Sequence, residues 1–179
     1  MRWANAFVEL NKSSHNRRIF DCGRDEPTDF LRTKALRHMQ AGISRTMVLP
    51  EEGISADSKT GICAYYTITP SLIESADLPQ REARKLPRYP IPVFLIAQLA
   101  VHCELHGKGL GKVTLYRAVH HLCQISEHLP AYAIVVDALD NAVEGFYAKF
   151  GFQFFCVHQN RKRLFLSMKT ALELCGFAL

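Results

Sequence analysis

Hydrophobic and polar positions repeat along this chain with a period that changes from place to place, and each change marks an element. Residues 7–10 (Phe7, Val8, Glu9, Leu10) alternate weakly, as an edge strand would. Asp25, Glu26 and Pro27 then put acidic groups and a proline at a helix start. There the dipole favours negative charge, and the first-turn N–H groups have no partner to lose. Leu31, Ala35 and Met39 recur on one helical face and Gly42 supplies a stop, so a helix is expected from residue 25 to about 41.

A short strand is expected at 46–49, a polar hairpin loop at 51–59, and a central strand at 61–69, rich in β-branched and aromatic residues. Residues 70–85 read as irregular or briefly helical and end basic. Pro87, Pro90 and Pro92 make a stiff, extended lead into the next strand, 93–101. That strand is apolar almost throughout, which predicts burial on both faces. An amphipathic helix follows from 110 to about 128, with Leu115, Val119 and Leu122 at helical spacing. A buried strand is expected at 132–138. Asn141 is expected to cap the next helix with Glu144 as its box partner, and that helix should stop at Gly151. Residues 152–157 and 163–168 read as a closing antiparallel pair. Strands and a helix, then strand–helix–strand–helix–strand–strand, predict an α/β fold on a mixed central sheet.

Composition adds limits. The chain has 179 residues, 48% hydrophobic and 22% charged, which fits one domain over 1–179 and excludes a disordered or fibrous protein. The net charge of +5 suggests an acidic or polyanionic partner. The first ten residues lack the pattern of a signal peptide, and no stretch approaches the roughly 18 apolar residues of a membrane span. A cytoplasmic protein with no membrane role is therefore expected. The six cysteines are scattered, with no C-x-x-C, and the His102–Cys103–His106 and His120–His121–Cys123 clusters lack ligand spacing, so no metal site is expected.

The most informative stretch runs from Leu99, Ala100 and Val101 through His106-Gly107-Lys108-Gly109-Leu110-Gly111-Lys112. A buried strand ends, glycines follow at alternate positions, and a helix begins. Glycine lets backbone approach a ligand, while the free N–H groups and dipole of a helix start favour a pyrophosphate. Lys108 and Lys112 add positive charge. A Walker A loop needs Ser or Thr after its Gly-Lys, but Val113 stands there and position 106 is His. A dinucleotide fingerprint needs G-x-G-x-x-G, whereas this loop reads G-x-G-x-G.

The loop instead resembles the Q/R-x-x-G-x-G/A pyrophosphate loop of GNAT-type N-acetyltransferases, with His106 where that family usually has Gln or Arg. About thirty residues on, Asn141 through Phe146, Tyr147, Gly151 and Phe152 resemble the family's N-x-x-A-x-x-x-Y-x-x-x-G-F block, departing at Gly145. Phe20-Asp21-Cys22-Gly23 with Phe30-Leu31, the 61–69 strand, and Lys85 through Pro92 leading into Ile96 to Val101 resemble a narrower branch. This is the GNAT-type N-acetyltransferase toxins of type II toxin–antitoxin systems (TacT/AtaT-like). The similarity covers nearly the whole chain.

The resemblance implies a GNAT fold: a mixed sheet of about six to seven strands with a splayed cofactor gap, flanked by helices. It implies acetyl-CoA as cosubstrate, contacted by Leu99, Ala100, Val101, His106 to Lys112, Asn141 and Phe146, and Tyr147 as general acid. It implies aminoacyl-tRNA as substrate, acetylated on its α-amine so that translation stops, a ribbon-helix-helix antitoxin, and a homodimer. A protein N-terminus or a small-molecule amine is the alternative acceptor. Basic residues outside the two cofactor blocks suit phosphate contacts. Arg84, Lys85 and Arg88 are the chosen tRNA-binding candidates. Lys12, Arg17, Arg18, Arg32, Lys34, Arg37, Arg81, Arg161, Lys162 and Arg163 are further ones.

Overall fold

The computed structural model describes residues 1–53 and 59–177. Part of the hairpin loop expected at 51–59 therefore lies outside the described residues. Seven strands hydrogen-bond in the order β1-β2-β3-β4-β5-β7-β6, a mixed sheet flanked by helices. The chain divides into two compact units, one formed by Met1–Thr69 with Ala97–Ala118, the other by Pro70–Ile96 with Val119–Leu179.

In the first unit, β1 (Val8–Glu9), β2 (Arg45–Pro50) and β3 (Ile62–Ile73, which leaves the unit after Thr69) pair antiparallel. Thr46 and Thr67 sit opposite each other, fully buried, and satisfy one another through a 2.8 Å hydroxyl pair. The helix expected at 25–41 forms in three pieces. These are α1 (Asp25–Asp29), a π turn (Phe30–Lys34) and α2 (Ala35–Gln40), stopped by Gly42 at φ 69°. The π turn closes on an Ala35 N–H to Phe30 carbonyl bond. The Tyr65 hydroxyl, wholly buried, donates to the Pro27 carbonyl at 2.6 Å, so the helix start is tied to the middle of β3. Leu31 and Ala35 bury completely against Phe20, Val48, Ile62 and Tyr65, as the helical face predicts, and Met39 packs at the edge of this core.

The second unit holds the start of β4 (Ile91–Val101), then β5 (Ala133–Ala138), β6 (Gln153–His158) and β7 (Arg161–Ser167). β5 runs parallel to β4, with Phe94 opposite Ile134, and antiparallel to β7. β6 and β7 form a hairpin turned by Gln159 and Asn160 at φ 48° and 61°. Both central residues at positive φ is the turn whose twist matches a hairpin. Ile73, Leu78, Ile91, Val93, Ala133, Val135 and Phe165 make the core of this unit. α3 (Gln80–Ala83) is a single short turn, within the segment expected to be irregular or briefly helical. α5 (Asn141–Ala148) follows β5. The second half of α4 (Leu110–Ser126) also belongs here.

Four expectations need correction. β3 continues past Pro70 to Ile73, four residues beyond the expected end at 69. The burial expected along all of β4 is interrupted at residues 97–99, where Ala97 is exposed and Gln98 and Leu99 are half-buried, and it resumes at Ala100 and Val101. The cap of α5 is Asp140, not Asn141. Its Oδ1 accepts the Val143 N–H at 2.9 Å, and Glu144 turns away to pair with Lys162 at 2.6 Å. Finally, residue 168 does not end a strand. Ser167 caps a further helix, α6 (Met168–Cys175), closed by Gly176 at φ 74°. Among the described residues no helix is long and apolar enough to cross a membrane, and no cluster of three or more His, Cys, Asp or Glu is placed to hold a metal ion.

Candidate functional site

The expected site residues fall into two groups, one in each unit. The first is the end of β4 and the loop after it. Ala100 and Val101 are buried and Leu99 half-buried. A short 3₁₀ turn, Cys103–Leu105, then folds the chain back. Val101, Leu105 and Leu110 bury together with Leu49, Cys63 and Ala64, so strand end, turn and helix start share one core. Gly107 and Gly109 both have positive φ, 75° and 79°, with open space where a Cβ would stand. Their identity is therefore dictated by backbone conformation rather than by crowding. Gly111 lies in the first turn of α4.

This arrangement suits an anion. The first N–H groups of a long helix have no intrahelical acceptor and carry the positive end of its dipole. Lys108 and Lys112 are both exposed there. The loop is held from behind by contacts that the sequence pattern does not reveal. The His102 N–H donates to the Cys63 carbonyl and the Cys103 N–H to the Asp21 carbonyl, each at 2.8 Å. The Phe20 ring meets the His102 ring edge-on at 5.8 Å. The Phe20-Asp21-Cys22-Gly23 turn is itself fixed. Asp21 Oδ1 accepts from Gly23 N–H at 2.7 Å, and Thr28 Oγ1 accepts from Cys22 N–H at 3.2 Å. That motif is thus a brace for the glycine loop. His106 is placed unexpectedly, with its Nε2 2.9 Å from the Val101 carbonyl.

The second group centres on α5. Tyr147 is buried, with the rings of Phe146 and Phe152 at 5.4 and 5.6 Å. Burial pushes its phenol well above the ordinary tyrosine range, and the Asp137 carboxylate pushes it further. Asp137 on β5 is gripped by Arg163 on β7, whose Nε and Nη2 donate to its two oxygens at 2.7 Å each. Phe146 is half-buried against Phe150, and Asn141 is exposed and accepts from Lys162 Nζ at 3.4 Å.

Of the basic candidates, Arg84, Lys85 and Arg88 are exposed on the segment after α3. Lys85 pairs with Glu82 at 3.4 Å, a carboxylate that also accepts from the Tyr132 hydroxyl. Among the described residues, others are engaged within the protein. Arg163 is buried on Asp137, Lys162 is paired with Glu144, and the Arg32 Nε donates to the Phe20 carbonyl at 2.8 Å. A sequence cannot separate these from free surface cations, because each partner lies between 12 and 26 residues away.

No family model matches the sequence. Over 157 residues, 88% of this chain and 89% of the relative, it is 31% identical to a tRNA-acetylating toxin of Mycobacterium tuberculosis. Among solved structures it is similar to AtaT complexed with acetyl-methionyl-tRNAfMet, with 26% identity, a TM-score of 0.82, and coverage of 94% of this chain and 98% of that one. It is likewise similar to AtaTR bound with AcCoA, with 26% identity, a TM-score of 0.80, and coverage of 94% and 96%. Identity above thirty per cent over most of both chains, with the mixed sheet and the glycine loop in place, makes this protein a member of the GNAT-type tRNA-acetylating toxins.

Proposed function

We propose that this protein transfers the acetyl group of acetyl-CoA to the α-amino group of aminoacyl-tRNA and thereby blocks translation. The observation that carries the reading is the near full-length similarity to a tRNA-acetylating toxin. The positive-φ glycine loop at the start of α4 supports it, being chemically suited to a pyrophosphate.

On this reading the whole chain works as one acetyltransferase domain. The splayed gap expected beside the end of β4 takes the pantetheine, whose contacts are the backbone of Leu99, Ala100 and Val101. The Val101 N–H donates to the thioester oxygen as it becomes an oxyanion. Loop residues Gly107 to Lys112 surround the pyrophosphate, and Asn141 and Phe146 are assigned to the same cosubstrate. The amine attacks the thioester carbon, the C–S bond breaks, and the phenol of Tyr147 donates to the sulfur as negative charge develops there. The proton shed by the amine balances the thiol formed. No strong base is required, because an α-amine titrates at about 7.7–8.0 and an adjacent ester lowers this further.

Arg84, Lys85 and Arg88 are assigned to the tRNA backbone, a contact that gives salt-sensitive affinity without sequence identity. The cytoplasm as location, a ribbon-helix-helix antitoxin as partner and a homodimer as the working state complete the proposal. The test is transfer of labelled acetyl from acetyl-CoA to a full set of charged tRNAs. Labelling of one or more of them is the expected result. Transfer to a peptide N-terminus or a polyamine, with none to any charged tRNA, would replace this reading with the alternative acceptor.

A further inference from the structure

We propose that His106 is a positioning residue, whose imidazole holds the Val101 peptide in place rather than contacting the pyrophosphate of the cosubstrate; this rests on the acetyl-transfer reading above. A carbonyl can only accept, so the 2.9 Å contact requires that His106 Nε2 carry the proton. In the neutral ring that leaves Nδ1 with a lone pair and no hydrogen. A lone pair is repelled by phosphate oxygens, so the neutral ring in this tautomer has nothing to give a pyrophosphate.

What the ring does instead follows from the peptide it touches. The peptide joining Val101 to His102 has its carbonyl bound by His106 and its N–H donating to the Cys63 carbonyl at 2.8 Å. A peptide bonded on both sides cannot rotate. The Cα of Val101, and the N–H assigned above to the oxyanion, are thereby fixed from their C-terminal side. The turn between the two residues is short and stiff. His102 caps it by accepting the Glu104 N–H on Nδ1 at 3.4 Å, the Leu105 N–H donates to the His102 carbonyl at 2.9 Å, and Leu105 is buried. His106 therefore swings back onto the strand end it has just left. Oxyanion donors act through preorganisation, and a small misplacement of one is costly, roughly ten- to a hundred-fold in rate.

The experiment compares His106→Ala and His106→Gln with wild type on two donors, acetyl-CoA and S-acetylpantetheine, which lacks the pyrophosphate. The expected result for His106→Ala is a fall in kcat/KM of roughly ten- to a hundred-fold, by the same factor on both donors. His106→Gln, whose amide N–H can reach the same carbonyl, should recover most of it. A loss confined to acetyl-CoA would mean that His106 contacts the pyrophosphate and would overturn the proposal. So would full activity in His106→Ala, or a His106→Gln no better than His106→Ala. A second readout does not depend on turnover. Nitrogen-15 NMR of the wild-type imidazole should show the Nε2–H tautomer with a slowly exchanging ring proton. The Nδ1–H tautomer would sink the proposal even if the acetyl acceptor proved to be something else, and a wild type inactive on every acceptor would fault the functional reading alone.

Discussion

Removing the Arg163 guanidinium should both destabilise the protein and slow it. Arg163 and Asp137 sit directly opposite on β7 and β5, and their side chains are 8% and 23% exposed. The fork of the guanidinium meets both carboxylate oxygens at 2.7 Å. Arg163→Ala leaves a largely buried carboxylate without its partner. Breaking a buried pair in this way costs about 3–5 kcal/mol, and the partial exposure of Asp137 moves the figure down to about 2–3 kcal/mol, since water can reach the bared oxygen. In a chain of this length that lowers Tm by roughly 4–12 °C. Asp137→Ala should cost a similar amount, because it strands the guanidinium. The double substitution should cost clearly less than the sum of the two. Urea denaturation of the four proteins supplies the cycle, and additivity within about 0.5 kcal/mol would refute the coupling. The same cycle reads out at the site. Asp137 already pushes the Tyr147 phenol up, and without Arg163 its charge is unscreened, which makes the phenol a poorer donor. Acetyl transfer should therefore fall in Arg163→Ala and recover in the double variant. Equal activity in both would break the proposed link between the ion pair and the acid.

Tyr147→Phe should lower acetyl transfer at least about 100-fold, the usual worth of a general acid, while acetyl-CoA affinity measured by calorimetry stays within a few-fold. Asp140→Ala should cost about 1 kcal/mol in denaturant unfolding through loss of the α5 cap, and Asn141→Ala clearly less, an order that the sequence-based cap assignment would reverse. Stability should be level from about pH 7 to 8 and then fall, first because burial pushes the Cys63 and Cys123 thiols up to about 11 and about 12 while unfolded thiols ionise at about 8.5, and further above pH 10. Burial raises the phenols of Tyr65, Tyr66 and Tyr147, and burial with the Glu82 contact pushes Tyr132 up to about 12. Above pH 10 the unfolded chain releases these protons while the folded one keeps them, so unfolding gains; denaturation midpoints unchanged from pH 8 to 11.5 would contradict this.

The sequence by itself determined what is written in local patterns. The glycine loop was legible because positive φ at 107 and 109 leaves glycine as the residue of choice, and a strand and a helix flank it. The helical face of Leu31, Ala35 and Met39 was legible because one side must be buried. The block around Tyr147 was legible by resemblance, while the burial of its phenol is a property of the folded chain. Where two local signals competed, the reading failed. Asp140 and Asn141 are both good caps, and only the backbone conformation of Asp140 decided between them. Residues 163–168 carry a strand pattern throughout, which hides the Ser167 cap and the Gly176 stop of α6.

Only the tertiary structure decided which side chains meet across long separations. Nothing in the spacing says that Arg163 is buried against Asp137 while Arg84 faces solvent, because a cation's partner is chosen by strand register. Nothing in the Phe20-Asp21-Cys22-Gly23 motif says that its carbonyl holds Cys103, more than eighty residues on. His106 shows the same limit at short range. Its place in the loop is a local pattern, whereas the 3₁₀ turn that returns its Nε2 to within 2.9 Å of the Val101 carbonyl is set by the folded chain.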